Sequence, residues 1–199
     1  MPIPNSARES ALALLDARRS TPARQLRAPG PDDATLLRIL RSAVRVPDHG
    51  KRVPFRFLRI DGDARHALGE QVAAIGLRRR PDAGQAAVDK DRQRFSHAPL
   101  VLAVVVVLDP ADTAIPAEER LMTAGCVCFA VLHAAQALGF GGSWLTGWPA
   151  FDREVMAALD LGADERIAGF IHLGTPAIEV PERERPDPAS LLQRWTPAA

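Results

Sequence analysis

A continuous β-branched run stands in the middle of the chain and reads Pro99-Leu-Val-Leu-Ala-Val-Val-Val-Val-Leu108. Its apolar residues do not alternate with polar ones, which predicts a strand whose two faces are both covered. We therefore expect a central strand in a sheet with helices on each face. A second buried strand is predicted at residues 165–174, and a half-buried strand at Phe55-Arg-Phe-Leu-Arg-Ile60.

Capping signals place helices around these strands. Ser6-Ala-Arg-Glu9 is typical of a capping box and predicts a first helix that ends near Arg18-Arg19-Ser20. Asp32 or Asp33 is expected to cap a second helix, which Pro47 ends. Asp63 is expected to cap a third helix through about Leu77, and Asp152 a short helix that ends near Leu161-Gly162. Residues 79–95 are polar and charged, and we interpret them as a loop and a solvated helix. This order predicts an α+β fold, or three layers in the order α-β-α.

The longest predicted helix runs from Glu118 to Leu138 and is apolar on almost every side from Cys126 onward, which predicts burial. Cys126 and Cys128 point about 200° apart on a helix, so they are not expected to share a metal or form a disulfide. We expect both to be small buried side chains in a reducing cytosol. His133 and Gln136 interrupt the apolar run, which argues against a membrane span.

Composition excludes several classes of protein. Lys and Arg number 25 and Asp and Glu 24, so no basic excess points to nucleic acid. Residues 1–11 show no secretion signal, and a cytoplasmic protein is expected. We predict a single domain over residues 1–199, with an N-terminal extension at 1–10 and a C-terminal arm at 177–199. The arm is rich in proline and charge, so it should lie on the surface or across a partner.

Two clusters carry groups suited to binding an anion. Arg18 and Arg19 offer forked donors to a phosphate, and Ser20 adds a hydroxyl. The alternative is a solvated helix end that carries arginines near its C-terminal dipole. His49, beside Asp48 and Arg45, is placed in a loop from which it could donate a hydrogen bond or a proton. The alternative there is a turn in which Asp48 binds the backbone.

The segment Gly141-Gly-Ser-Trp-Leu-Thr-Gly147 follows the long helix, and its residues 143–147 are expected to form an irregular segment or a short strand. Glycines allow the backbone to approach a flat ligand, and Trp144 could form a wall of its pocket. The alternative is a tight connection with a buried tryptophan.

Other chemistry has little support in the sequence. His97, His133 and His172 show no metal-ligand spacing, so we expect core or surface histidines and no metal site. Gly142-Ser143-Trp144 lacks the second glycine of a nucleophile elbow, which argues against a hydrolase.

Taken together, seven segments resemble the FMN-dependent nitroreductase family, most closely its short YdjA-like branch. The resemblance covers about residues 11–176 and depends on the order of the segments. They are Leu-Leu-Asp-Ala-Arg-Arg-Ser20, Ala43-Val-Arg-Val-Pro-Asp-His49, Pro54-Phe-Arg-Phe57, His97-Ala-Pro-Leu-Val, Ala124-Gly-Cys126, Ala137-Leu-Gly-Phe-Gly-Gly-Ser-Trp144 and Gly169-Phe-Ile-His-Leu-Gly-Thr-Pro176.

This resemblance implies a nitroreductase-like fold, with a central mixed sheet wrapped by helices. It also implies an intertwined homodimer that has the long helix at its interface and two FMN sites between the subunits. Arg18, Arg19 and Ser20 resemble the contacts to the FMN phosphate and flavin edge. Arg45 and His49 resemble a loop that reaches the flavin of the other subunit. Trp144, Leu145 and Thr146 resemble the segment that lies along the isoalloxazine.

The implied activity is transfer of hydride from NADH or NADPH through bound FMN to an electron-poor small molecule, such as a nitroaromatic, quinone or enone-like acceptor. The implied kinetic scheme is ping-pong. Arg19 is the first candidate for stabilising charge on the flavin and Arg45 the second, while His49 is a candidate proton donor. The alternatives are a non-catalytic FMN-binding storage or sensor protein, and a dimeric scaffold with an empty cleft.

The chain departs from the family pattern in two places. Val53-Pro54-Phe55 stands where the family often has Gln-Pro-Trp, which removes an amide from the substrate pocket. The family also has a basic residue near the C-terminus that contacts the phosphate. In this chain Arg183, Arg185 and Arg194 are all candidates for that residue, and the sequence does not choose among them.

Overall fold

The computed structural model describes residues 4–197, so the ends of the predicted extension and arm, residues 1–3 and 198–199, lie outside it. Within that range the helices are α1 Asn5–Asp16, α2 Asp33–Ala43, α3 Ala64–Arg79, α4 Gln85–Arg92, α5 Ala117–Ala137, α6 Arg153–Ala158 and α7 Pro188–Leu191. The strands are β1 Leu26–Arg27, β2 Phe55–Asp61, β3 Leu100–Val107, β4 Gly141–Leu145 and β5 Glu165–Pro176. The sequence had predicted all of these except β1 and α7, which are too short to carry a periodic pattern.

The strand predicted to be central lies between two others. The sheet has the order β1-β5-β3-β2, and β4 also pairs with β5. Residues 101–106 of β3 are fully buried, which confirms that both faces of this strand are covered. All four pairings among the described residues are antiparallel, whereas a mixed sheet was expected. The helices α3 and α4 connect β2 to β3 and pack on each other. As a result β3 begins beside the end of β2 and runs antiparallel to it.

Helices cover both faces of the sheet, so the α+β class and the three layers are confirmed. On one face α2 and α5 pack against Leu102 and Val104 of β3. On the other face α3 and α6 pack against Val101 and Ala103. Alternate residues of one strand thus enter two separate cores, as the two-residue period of a strand requires.

The predicted caps are confirmed at two helices and wrong at two. Asp32 accepts a hydrogen bond from the Thr35 amide at 2.8 Å, and Asp152 accepts from the amides at the start of α6. The capping box at Ser6 is wrong, because extended Pro4 precedes α1 and Ser6 is already inside the helix. Asp63 precedes α3 but has helical dihedral angles, so its carboxylate does not cap the helix.

The long helix α5 is buried on one side only, which corrects the expectation of a helix buried all round. Met122 is 62% exposed and Phe129 43% exposed, and Cys126 is exposed on the same helix. Cys128 is buried as predicted, and its burial raises the pKa of its thiol to about 12. By length and composition α5 resembles a membrane span, but its other side packs on the sheet as a core helix does.

Candidate active site

A cleft of about 420 Å³ opens between β4, the segment that follows α1, and the connection from α4 to β3. Three of the residues predicted to contact FMN line it, namely Ser20, Trp144 and Leu145. The structure thus brings together residues that lie more than a hundred positions apart in the sequence. The complete lining is Ser20, Pro22, Ala23, Arg24, Lys90, Arg94, His97, Ser143, Trp144 and Leu145.

Close backbone approach holds Ser20 beside β4. The Thr21 amide donates to the Gly142 carbonyl at 2.9 Å, which ties the segment after α1 to the strand. A Cβ atom at Gly141 would lie 2.8 Å from the Thr21 hydroxyl, and one at Gly142 would lie 2.8 Å from Leu132. A larger residue at either position would therefore require the Thr21 or the Leu132 side chain to move, because real Cβ contacts are longer.

Four arginines gather at the C-terminal end of α1. The Arg18 guanidinium donates to the Ser20 hydroxyl at 3.2 Å, and Arg185 of the C-terminal arm reaches the Arg18 carbonyl at 3.5 Å. Burial, followed by the charges of Arg185, Arg183 and Arg19, lowers the pKa of Arg18. Such mutual repulsion is relieved when an anion binds.

The Glu182 carboxylate offsets part of this charge. Glu182 forms an ion pair with Arg19 and accepts from the Arg185 Nε at 3.0 Å. The arm therefore brings its own arginines to the predicted phosphate contacts. Of the three late residues left open by the sequence, Arg183 and Arg185 are near Arg18, whereas Arg194 makes no hydrogen bond or ion pair within residues 4–197.

Trp144 is held in place by an irregularity in β5. The register between β3 and β5 shifts between Val104 and Val105, so Ala168 has no partner on β3. The Ala168 carbonyl accepts a hydrogen bond from the Trp144 indole at 3.1 Å. The indole covers Gly169, where a Cβ atom would overlap the ring. The tryptophan is 39% exposed, so the interpretation of this segment as a connection with a buried tryptophan is wrong.

Replacing Gly169 by Ala should displace Trp144 and break its bond to Ala168. We expect a loss of about 1–3 kcal/mol in the free energy of unfolding, as for other overpacked sites. Urea denaturation measures this loss. Gly162→Ala is the matched control, because a Cβ atom there meets nothing closer than 3.8 Å. Equal stability of the two variants would show that Trp144 is not fixed by this contact.

The loop that carries His49 contains a turn in which Asp48 binds the backbone, which was the alternative interpretation of this segment. The Asp48 carboxylate accepts from the amides of Arg52 and Val53 at 3.1 and 2.8 Å. This turn holds Val53 at φ 49°, a strained value for a β-branched residue. The His49 ring remains free to make a side-chain contact, and its Nδ1 lies 2.7 Å from Glu119 at the start of α5.

Several predicted site residues lie outside the cleft of their own chain. Arg45 is exposed after α2, and its side chain makes no hydrogen bond or ion pair within the described part of the chain. His49 lines a separate small depression with Arg52 and Glu119. Thr146 follows β4 but does not line the cleft. Within a single chain, Arg45 and His49 are therefore not assembled with Ser20 and Trp144.

Four basic residues of the cleft were not predicted from the sequence. Arg24, Lys90, Arg94 and His97 all contribute to its lining. Residues 79–95 had been interpreted as a loop and a solvated helix, and no local pattern shows that the end of this helix meets β4. His97 had been assigned to the core or the surface, and it is partly buried at the cleft.

Behind the cleft, His172 of β5 is fully buried. It stands opposite Ser143 in the sheet and stacks on Phe95 with ring centres 6.2 Å apart. Both of its ring nitrogens and the Ser143 hydroxyl lack a hydrogen-bond partner among the described residues. Burial, with smaller contributions from His97 and Arg94, lowers the pKa of His172 to about 4. The imidazole is therefore neutral at pH 7.

Acid should destabilise the fold through this histidine. The unfolded chain binds a proton near pH 6.5 and the folded chain only near pH 4, so stability falls as the pH drops through this interval. The cost at pH 5 is about 2 kcal/mol. His172→Phe should therefore flatten the difference in unfolding free energy between pH 7.5 and pH 5, measured in urea. His66→Phe, which changes an exposed histidine, is the control. A pH dependence that is unchanged in His172→Phe would contradict this prediction.

Comparison with known proteins gives a consistent result. The model of the nitroreductase family matches residues 15–175. A curated relative from Escherichia coli, named "Putative NAD(P)H nitroreductase YdjA", is 36% identical over 85% of this chain and 90% of its own length. A "Putative NAD(P)H nitroreductase" from Haemophilus influenzae is 32% identical over 87% of this chain and 92% of its own.

Solved structures share the fold at lower sequence identity. A nitroreductase-like protein from Bacillus cereus superimposes with a TM-score of 0.79 at 19% identity and covers 97% of both chains. A variant of NfnB from Sphigopyxis sp. strain HMH, described as an FMN and NADPH-dependent nitroreductase, has a TM-score of 0.75 at 19% identity and covers 92% of this chain and 98% of its own. The chain belongs to the nitroreductase family. It is an oxidoreductase of that family.

Proposed function

We propose that the protein binds FMN and transfers hydride from NADH or NADPH to an electron-poor small molecule. The observation that carries the proposal is the cluster of Arg18, Arg19, Arg183 and Arg185 beside the cleft of Ser20 and Trp144. The family relatives named as NAD(P)H nitroreductases support the donor, and the FMN-dependent fold neighbour supports the cofactor.

The donor set suits the cofactor. Forked guanidinium groups bind a phosphate through paired, charge-assisted hydrogen bonds, and a hydroxyl beside them adds a neutral donor. Arg18 already contacts both Ser20 and Arg185, so a phosphate would meet donors that are positioned in advance. When bound, the flavin supplies the hydride chemistry.

The protein residues have the tasks of holding the flavin, stabilising charge and excluding water. Trp144 and Leu145 form a wall of the cleft along which the flat ring would lie. Arg19 is the first candidate for stabilising the negative charge that develops on the ring, and Arg45 is the second. No assigned acid is required, since His49 or water can donate protons.

We also propose that two copies assemble into a homodimer and that residues 1–199 form one domain. Exposed apolar side chains support the dimer. They lie on α1, α2 and α5 and in the arm: Leu12, Leu15, Leu37, Met122, Phe129, Leu192 and Trp195. Both α1 and α2 pack beside α5, so the exposed apolar side chains of these three helices lie on neighbouring elements. Apolar side chains exposed in this way are typical of an interface between subunits. A partner would also bring Arg45 and His49 to a cleft that lacks them. A cytoplasmic location stays a prediction.

Steady-state oxidation of NADH and NADPH tests the activity. The FMN-loaded protein, given a nitroaromatic or a quinone, should oxidise at least one donor much faster than the same concentration of free FMN. Parallel lines in double-reciprocal plots at several acceptor concentrations would support the ping-pong scheme. Bound FMN with a rate no faster than that of free FMN would favour the storage or sensor alternative.

A further inference from the structure

Strained backbone is concentrated in two loops that lie outside the cleft. They are the His49 loop, residues 48–53, and the loop of residues 108–116, which joins β3 to α5. Four residues other than glycine have a positive φ within residues 4–197, and three of them lie in these loops: Lys51 at 54°, Val53 at 49° and Asp109 at 42°. Such values persist only where the surrounding structure enforces them, and they concentrate at functional sites. Contacts between the loops and their surroundings must therefore hold this backbone in place.

Asp112 joins the two loops. Its Oδ2 accepts a hydrogen bond from the Arg52 Nε and another from the Arg120 guanidinium, at 2.7 Å in each case. Its Oδ1 accepts from the Ala114 amide at 3.2 Å, which orients the carboxylate from within its own loop. The hydrogen bond from Arg52 lowers the pKa of Asp112, so the carboxylate is ionised at pH 7. A single carboxylate therefore binds two arginines from different elements.

The two arginines have different surroundings. Arg120 lies in the first turns of α5 and is 3% exposed, and its Nε is buried without a hydrogen-bond partner among the described residues. The Arg52 side chain is 41% exposed, and its other contact is to the Gly50 carbonyl at 3.2 Å within the His49 loop. Asp112 thus connects the exposed His49 loop to a buried side chain of α5.

Two further contacts bind the same segment to α5. The Thr123 hydroxyl donates to the Pro47 carbonyl at 3.2 Å, and Glu119 lies 2.7 Å from the His49 Nδ1. Met122 lies between these two positions on the helix and is exposed on the side proposed for the dimer interface. The His49 loop is therefore fixed beside the surface on which a second subunit would pack.

We infer that Asp112 is a positioning residue, which holds the His49 loop in the strained form that presents His49 to the flavin of the second subunit. This inference rests on the proposed function, to which the flavin and the dimer belong. Asp112 does not line the cleft, so it acts only through Arg52 and the loop. An ion pair of a half-exposed arginine adds little to the free energy of unfolding. Loss of the pair should therefore change the loop far more than the stability of the fold.

The experiment uses three variants and a control. Arg52→Gln breaks the ion pair on its exposed side and leaves Arg120 paired with Asp112, so this variant should fold. Arg52→Lys keeps the positive charge and tests rescue, and Asp112→Asn removes the shared carboxylate. Arg59→Gln is the matched control, because the Arg59 side chain is 43% exposed and also pairs with carboxylates, but lies in β2 outside both loops.

The first measurement is hydrogen–deuterium exchange of the protein with and without FMN. Peptides that cover residues 48–53 should exchange faster in Arg52→Gln and in Asp112→Asn than in the wild type. Arg52→Lys should lie close to the wild type, and Arg59→Gln should match it in this loop. Exchange at the wild-type rate in Arg52→Gln would overturn the role of Asp112. This readout does not depend on the flavin.

The second measurement links the loop to the flavin through a double-mutant cycle. Arg52→Gln should raise the dissociation constant of FMN about fivefold, the equivalent of one hydrogen bond, and Arg52→Lys should restore most of the affinity. The free energy of unfolding in urea should equal that of Arg59→Gln. In a His49→Ala background the Arg52→Gln change should have no further effect, because the loop then has no imidazole to present.

Two results of the cycle would overturn the inference. One is an affinity for FMN in Arg52→Gln equal to that of Arg59→Gln. The other is a full additional loss in the double variant with His49→Ala, which would show that Arg52 acts independently of His49. A wild type that does not bind FMN is a separate result, since it refutes the proposed function, while the exchange experiment still decides whether Asp112 holds the loop.

Discussion

Replacing Arg18 by Ala is expected to raise the dissociation constant of FMN between about tenfold and about a hundredfold, because a charge-assisted hydrogen bond to the phosphate contributes about 1.5–3 kcal/mol. Arg18 is the centre of the arginine cluster, in contact with Ser20 and next to Arg185 of the arm. The measurement is a titration of the apoprotein followed by flavin fluorescence.

Riboflavin provides the control for that experiment. It lacks the phosphate, so wild type and Arg18→Ala should bind it with equal affinity. Arg18→Lys should lie between the two proteins with FMN, because lysine keeps the charge but loses the forked geometry. Equal losses for FMN and riboflavin would show that the variant disturbs the cleft rather than a phosphate contact, and an unchanged affinity for FMN would refute the assignment.

Introducing a charge on the exposed side of α5 should separate the subunits. Phe129 is 43% exposed in the single chain and stacks on His133 with ring centres 6.0 Å apart. At a dimer interface this surface would be buried, so Phe129→Glu would place an unpaired carboxylate in an apolar contact, at a cost of several kcal/mol. Sedimentation velocity should show a dimer for the wild type and a monomer for the variant.

Loss of the dimer should also loosen FMN, because Arg45 and His49 are proposed to reach the flavin from the partner. Phe151→Glu is the matched control, since Phe151 is 71% exposed but lies on the far side of the sheet between β4 and α6. It should leave the dimer intact. A wild type that sediments as a monomer with FMN bound would contradict the dimer and the proposed role of His49 together.

Local chemistry explains which parts of the fold the sequence predicted. The continuous apolar and β-branched run at residues 99–108 is stable as a strand that is covered on both faces, and β3 is such a strand. Asp32 and Asp152 cap helices because each stands in extended backbone before an apolar helix. Ser6 fails as a cap because Pro4 already starts the helix.

Features that depend on distant contacts were not predictable. The periodicity of α5 shows an apolar helix but does not show whether the sheet or a second subunit covers each side. The C-terminal arm runs back to α1, and the sequence does not show this path. Only this tertiary contact favours Arg183 and Arg185 over Arg194 as contacts to the phosphate. Likewise, Lys90 and His97 reach the cleft through the packing of the α4–β3 connection beside β4, a tertiary contact without a local signature.

The most direct test of the central claim is an absorbance spectrum. The purified protein is mixed with FMN, desalted, and then treated with NADPH or NADH in the absence of oxygen. We expect the visible band of oxidised flavin to stay with the protein and to bleach with at least one donor. A protein that emerges colourless would refute FMN binding, because the arginine cluster and the glycine-rich strand would then have only a structural role.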